Sequence, residues 1–299
     1  VSVASHAEQT ANIMIGCEKI FIKSQPDLVL VYGDVNSSVA AALTAKKMNL
    51  KLAHIEAGLR SFDRNMPEEI NRIITDVISD FHFATCKDAL VNLKNEGVNM
   101  DGCYFVGNTM IDSLVEFNDK FDRSLILNKL NLNVKEYVLI TLHRPSNVDT
   151  KDDLIKLMDA LAETSELIKC LFVIHPRTKN NLCKFGLYDK YNKLKSLKII
   201  EPLGYIDFMC LQKNAKVIIT DSGGVQEEST FFKVPCLTVR DNTERPITIK
   251  KGTNTLLGTN YDNICTYIRN MNFDTYFNIE YWDGKTSERI AKVLERELF

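Results

Sequence analysis

The chain has 299 residues, 45% of them hydrophobic and 25% charged, which is long enough for two α/β domains and excludes a disordered chain. A formal net charge of −2 and a pI near 6.3 provide no bulk field for nucleic acid or anionic lipid, so neither is an expected partner. The Lys-rich stretch around 179–198 reads as a solvated helix face, and no run approaches the roughly 18 apolar residues of a membrane span.

Taken in order, apolar runs repeatedly stop at a polar residue. The run at 28–32 leads to Gly33-Asp34, and the run at 52–55 leads to Glu56. At 67–72, P-E-E-I-N-R reads as a helix start, with Pro67 at the first position and two glutamates at the positive end. At 100° per residue, Ile70, Ile73, Ile74, Val77 and Ile78 form an apolar stripe with Glu68, Arg72 and Thr75 nearly opposite, so Glu68 is expected to face away from the core. A solvent-exposed Glu-Arg pair is the plainer reading of that segment. Val106-Gly107-Asn108-Thr109 opens another helix, and a polar, strand-poor stretch at 118–135 separates two sets of strands.

The second set begins at 137–142 and leads to His143-Arg144, followed by 171–174 leading to His175. The run at 216–220 reads as a buried strand, Asp221-Ser222-Gly223-Gly224 as a tight turn, and Val225 as a helix start. Two glycines and the free N–H groups of a helix start make a phosphate cradle, with Glu228 placed to accept ribose hydroxyls. A plain strand-to-helix connection is the alternative. Parallel sheets bind ligands beyond the carboxyl ends of their strands, and Asp34, Glu56, His143, His175 and Ser222 all fall there. The cleft between two such domains is the expected ligand site.

Other signatures are missing. There is no G-x-G-x-x-G after a strand, no P-loop and no H-E-x-x-H, so no cofactor and no metal are expected. Eight cysteines at scattered spacings, none in a C-x-x-C pair, read as reduced thiols of a cytoplasmic protein.

The motifs G-D-V-N at 33–36, H-I-E-A-G-L-R-S-F-D-R-N-M-P-E-E-I-N-R at 54–72, V-G-N-T at 106–109, L-H-R at 142–144, I-H-P-R at 174–177, D-S-G-G-V-Q-E-E at 221–228, D-N-T-E-R-P at 241–246 and G-T-N at 252–254 occur in one order along nearly the whole chain. Together they resemble the non-hydrolysing UDP-N-acetylglucosamine 2-epimerases. Hydrolysing relatives carry I-E-G-G-E where this chain has Ile55-Glu56-Ala57-Gly58-Leu59.

The resemblance implies an α/β fold of two Rossmann-like domains with a central cleft, the glycosyltransferase B type. The expected domains are 1–125 with a returning helix at 285–299, and 126–284. It further implies that Ser222, Gly223 and Gly224 hold the diphosphate of a UDP-sugar, Glu228 the ribose and Phe208 the uracil, with Arg245 also in the binding set. His143 is implied near the diphosphate, and Asp34, Glu56 and Glu68 as the catalytic carboxylates. Glu68, Arg144 and His175 match positions associated with an activating second UDP-sugar, and a homodimer is expected. The implied reaction is 2-epimerisation of UDP-N-acetylglucosamine or of a modified UDP-sugar. A glycosyltransferase and a non-catalytic UDP-sugar binding module are the rivals. One departure is the family's N-terminal strand with its G-T-R-P-E-like turn, which has no counterpart here, so the chain begins near the family's third or fourth element.

Overall fold

A computed structural model of the protein describes residues 5–270 and 278–298, so residue 299 of the expected terminal helix lies outside it. The chain divides into two compact units, Val1–Asp112 with Glu280–Phe299, and Ser113–Ile279.

The first unit carries a parallel sheet of four strands, β1 (Leu28–Tyr32), β2 (Lys51–Ala57), β3 (Phe81–Ala84) and β4 (Cys103–Phe105), in that spatial order. Parallel neighbours need crossover connections, which the helices Asn36–Lys47, Pro67–Ile78 and Lys87–Asn95 provide. The helix Thr286–Leu298 returns to this unit, where Ile290 packs with Ala53, Phe83 and Val106. Its start is tied down by Asp112, which accepts the Thr286 N–H at 3.0 Å and the Ser287 N–H at 2.6 Å, so two otherwise orphaned helix donors are satisfied.

The second unit carries six parallel strands, β5 (Val138–Thr141), β6 (Cys170–Val173), β7 (Leu197–Ile200), β8 (Val217–Thr220), β9 (Cys236–Thr238) and β10 (Asn254–Leu256), in the order β10-β9-β8-β5-β6-β7. Both faces are covered, and the period of two sorts each strand's side chains between them. Val138 and Ile140 pack with Leu154, Leu157, Met158 and Leu161 of the helix Lys151–Leu167. Tyr137 and Leu139 pack on the other face with Cys210 and Leu211 of the helix Tyr205–Asn214. Burial on both sides is why β5, β6 and β8 read as continuous apolar runs.

The sheet order reverses at β5, which pairs with β6 on one side and β8 on the other. A crevice therefore opens beyond the carboxyl ends of β5 and β8, the usual place for a ligand in an open α/β sheet.

Two local expectations are corrected. In the helix Pro67–Ile78, the apolar stripe does not form the buried face: Ile70 and Val77 are exposed at 39% and 63%, while Glu69, Arg72, Thr75 and Asp76 are buried. The polar side turns inward because its charges are paired there, Arg72 with Asp34 and Glu69, and Asp76 with His54 and Arg60. After β8 the helix begins at Gly223, two residues before Val225, so both glycines lie in its first turn rather than in a preceding tight turn.

Candidate active site

In the second unit, the ends of β5 and β8 are held together by one buried carboxylate. Asp221 accepts the backbone N–H of His143 at 3.0 Å, that of Arg144 at 2.8 Å and the Asn147 side-chain amide at 2.9 Å. Its Oδ1 is 3.0 Å from His143 Nδ1. Burial alone would push this carboxyl group up, but His143, Asn147 and the Arg144 amide outweigh it and hold Asp221 below the usual carboxylate range. Since a carboxylate accepts, Nδ1 of His143 carries the hydrogen and Nε2 is left for another partner. Tyr261 donates to Asn147 Oδ1 at 2.9 Å, which fixes the amide that braces Asp221.

Ser222 is the N-cap of the helix Gly223–Phe231 but makes no side-chain cap, so its hydroxyl is not committed to the helix's own first N–H groups. A Cβ added at Gly223 would lie 2.3 Å from Glu244 Oε1, and Glu244 is itself fixed by Arg240 at 2.8 Å. A carboxylate thus already stands beside this helix start, where the aligned peptide dipoles favour negative charge. Gly224 follows in the same turn. Arg245 is buried, with Nε 3.4 Å from Glu227 Oε2. Gln226 holds the neighbouring loop by accepting from Thr243 at 2.7 Å and from Asn254 at 3.0 Å.

Glu228 lies one turn further along, buried at 8% exposure. Desolvation pushes its carboxyl group up to about 7, opposed only partly by the Gln212 amide that donates to Oε2. Phe208 stands four residues before Gln212 on the helix Tyr205–Asn214, partly buried against the core. The His143 and His175 rings approach to 5.1 Å between centroids. His175 caps the helix Pro176–Lys184 through Nδ1, which accepts the Arg177 N–H, and its ring is shifted down by desolvation and by nearby His143.

In the first unit, the carboxylates stand at the ends of β1 and β2. Glu56 adopts a left-handed backbone, φ 72°, where the β2–β3 register slips between Ile55 and Ala57. Such a conformation costs a non-glycine residue on the order of 1 kcal/mol and persists only when its surroundings enforce it. Tyr32 donates to Glu56 Oε1 at 3.1 Å, and Thr109 donates to Tyr32 in turn at 2.8 Å. Gly33 has φ 64°, and a Cβ there would lie 3.6 Å from Glu56 Oε2.

Asp34 is ion-paired with Arg72, whose other arm donates to Glu69 at 2.7 Å. Glu69 also accepts the Ser61 and Phe62 N–H groups at 2.9 and 2.8 Å, pinning the loop that follows Glu56. Asp34 and Glu68 line one cavity of about 260 Å³ together with Gln9, Asn36 and Asn71.

The expected residues divide between the units, Asp34, Glu56 and Glu68 in one, and His143, Arg144, His175, Phe208, Ser222, Gly223, Gly224, Glu228 and Arg245 in the other, and Glu56 is not among the residues lining the cavity of Asp34 and Glu68. Asn147, Gln212, Gln226 and Tyr32 are not singled out as site residues from sequence, and Arg72 and Asp221 enter only as members of a Glu-Arg pair and of a turn. The signal for Asp221 is its place at the end of the β8 run, two residues before Gly223. Among the described residues no group of three or more His, Cys, Asp or Glu could hold a metal ion, and no helix is long and apolar enough to cross a membrane.

Residues 1–295 match the family described as UDP-N-acetylglucosamine 2-epimerase. A UDP-N-acetylglucosamine 2-epimerase homolog of Methanococcus maripaludis is 45% identical over 98% of this chain and 82% of its own length. The UDP-2,3-diacetamido-2,3-dideoxy-D-glucuronate 2-epimerase of Pseudomonas aeruginosa is 37% identical over 98% of this chain and 81% of its own. The crystal structure of the Methanocaldococcus jannaschii UDP-GlcNAc 2-epimerase in complex with UDP-GlcNAc and UDP superposes with a TM-score of 0.91 at 43% identity, covering 98% of this chain and 82% of that one. The fold is the α/β, glycosyltransferase B type that the sequence resemblance implied. By its motifs, its two parallel sheets and these matches, the chain belongs to the UDP-N-acetylglucosamine 2-epimerase family.

Proposed function

We propose that this chain interconverts UDP-N-acetylglucosamine and UDP-N-acetylmannosamine by anti elimination of UDP to a 2-acetamidoglucal and re-addition of UDP after a proton reaches the opposite face of C2. The observation that carries the reading is the uncapped helix start at Ser222-Gly223, seated at the reversal of a parallel sheet beside the braced His143. A diphosphate is the ligand such a cradle suits.

The chemical difficulty is the C2 proton, which is weakly acidic and has no adjacent carbonyl group. Expelling UDP makes its loss feasible, provided the charge developing on the diphosphate is stabilised. Gly223 and Gly224 supply oriented N–H groups, Ser222 its hydroxyl and Arg245 its guanidinium, with His143 beside them. Glu228 takes the ribose and Phe208 the uracil. Asp34, Glu56 and Glu68 carry the proton transfers at C2, one as base and another as acid. An activating second UDP-sugar would engage Arg144, His175 and Glu68.

Incubation with UDP-N-acetylglucosamine alone tests this. Epimerisation needs no acceptor, transfer does, and a binding module leaves the sugar unchanged. A modified UDP-sugar is the second reading, favoured by the diacetamido-glucuronate epimerase among the relatives, and a UDP-sugar panel separates the two.

Two further features belong to this reading. None of the eight cysteines is in a disulfide, which suits a reducing cytoplasm. The exposed Ile70 and Val77, with Ile15 and Ile22 of the helix His6–Ser24 also exposed, suit coverage by a second copy in a homodimer.

A further inference from the structure

His54 and Asp76 touch none of the residues assigned above to substrate, yet both are fully buried and bonded to the turns that carry two of the carboxylates. His54 lies on β2, two residues before Glu56, and Asp76 lies on the helix Pro67–Ile78. His54 Nδ1 is 2.6 Å from Asp76 Oδ1, and its Nε2 is 3.1 Å from the carbonyl oxygen of Gly33, the residue before Asp34. Both partners are acceptors, so both ring nitrogens donate. Asp76 Oδ2 accepts the N–H of Gly58, two residues after Glu56, at 3.0 Å and stands 2.7 Å from Arg60 Nη2. The Gly33 N–H in turn donates to Ile55 at 3.0 Å, closing the circuit beside Glu56.

We propose that His54 and Asp76 are positioning residues for the epimerisation: through Gly33 and Gly58 they set the turns that present Asp34 and Glu56, and so the placement of those carboxylates at C2. This rests on the epimerase reading given above. Arg72 holds Asp34 and Asn92 donates to the Gly58 carbonyl oxygen at 2.9 Å, each fixing one turn, whereas the His54–Asp76 pair is bonded to both. Gly33 and Gly58 both occupy the left-handed region, φ 64° and 79°, where glycine has wide freedom, and Glu56 between them is itself left-handed. A cross-link from one side chain pair to both turns removes that freedom. Burial alone would raise the Asp76 carboxyl group, but its interactions with His54 and Arg60 outweigh that and hold it below the usual range, so it stays ionised. A carboxylate so held remains an acceptor for both the ring and the Gly58 amide.

The alternative role is a buried ion cluster that contributes only to stability. Two substitutions separate the roles because they preserve opposite halves of the imidazole. The amide of His54→Gln reaches the Nε2 position and keeps the bond to Gly33, losing Asp76. The amide of His54→Asn occupies the Nδ1 position and keeps Asp76, losing Gly33. Positioning predicts that His54→Asn lowers kcat on UDP-N-acetylglucosamine by roughly a hundredfold, the scale of an ångström's misplacement. His54→Gln should retain much more of it. KM and UDP affinity should stay near wild type in both. Equal kcat in the two variants, or a larger loss in His54→Gln, overturns the proposal. Amide hydrogen exchange over 33–36, measured on the same proteins, requires no turnover and so distinguishes failure of this proposal from failure of the epimerase reading. Protection there should fall in His54→Asn and persist in His54→Gln; unchanged protection in His54→Asn overturns the role of His54 whether or not the wild-type protein turns over.

Discussion

Gln212 donates its side-chain amide to Glu228, a buried carboxyl group that desolvation lifts to about 7 from an ordinary value of 4.5. The folded state therefore binds this proton more tightly than the unfolded chain. Its contribution to stability is fully present below about pH 4.5 and is lost as pH rises through about 7, amounting to roughly 3 kcal/mol at ~1.4 kcal/mol per unit. Glu228→Gln should flatten that part of the stability profile between pH 5 and pH 8 in urea titrations.

The same group gives UDP binding a pH dependence. Ribose hydroxyls donate, so they favour the ionised carboxylate, and binding should draw off its proton. UDP affinity in the wild-type protein should be about tenfold weaker at pH 6 than at pH 8 from this group, and calorimetry of Glu228→Gln should lack that component. Equal pH dependence in both proteins would remove Glu228 from the ribose site.

Asp221 should be felt in both stability and binding. Asp221→Ala strands the N–H groups of His143 and Arg144 in a buried place, costing about 3 kcal/mol in equilibrium unfolding at pH 7. Because its carboxyl group is held below the usual range, the stability it confers is present above its unfolded value of 3.8 and disappears as pH falls through the depressed one. The wild-type protein should thus lose its advantage over Asp221→Ala under strong acid only. UDP binding should weaken in the variant as His143 loses its brace.

The strand-end residues were legible in the sequence because a strand buried on both faces is an unbroken apolar run, and the first polar residue marks its exit. The site-bearing ends of β5, β6 and β8 follow from that rule, while β1 has one exposed face, with Leu30 and Tyr32 at 44%, and β2 carries the buried His54 inside its run. What it cannot supply is partnership across distance: Asp221 meets His143 and Arg144 over 78 and 77 residues, and Arg72 meets Asp34 over 38. The same blindness reversed the reading of the helix Pro67–Ile78. Apolar periodicity does not mark the buried side here, because Arg72 and Asp76 are buried through paired charges while Ile70 and Val77 stay exposed. The left-handed turn at Glu56 also leaves no mark, since glutamate is not a residue that signals positive φ.

Chemistry and binding should separate by unit. Asp34→Asn, Glu56→Gln and Glu68→Gln should each lower turnover by about two orders of magnitude, the usual scale for a lost acid or base, with UDP affinity within a few fold of wild type. Steady-state rates beside UDP titrations check this; near wild-type turnover in all three variants would dismiss the carboxylate assignment.

The exposed isoleucine face predicts self-association. Val77→Glu, at a position 63% exposed in the single chain, should shift the protein from dimer to monomer in sedimentation equilibrium without changing its fold. A wild-type protein that sediments as a monomer at all concentrations would contradict the proposed homodimer.

The most direct test of the central claim is proton NMR of UDP-N-acetylglucosamine incubated with the protein in deuterated water. The elimination account predicts UDP-N-acetylmannosamine carrying deuterium at C2, with traces of UDP and 2-acetamidoglucal. Epimerised product that keeps its original C2 hydrogen, or no epimerised product at all, would contradict it.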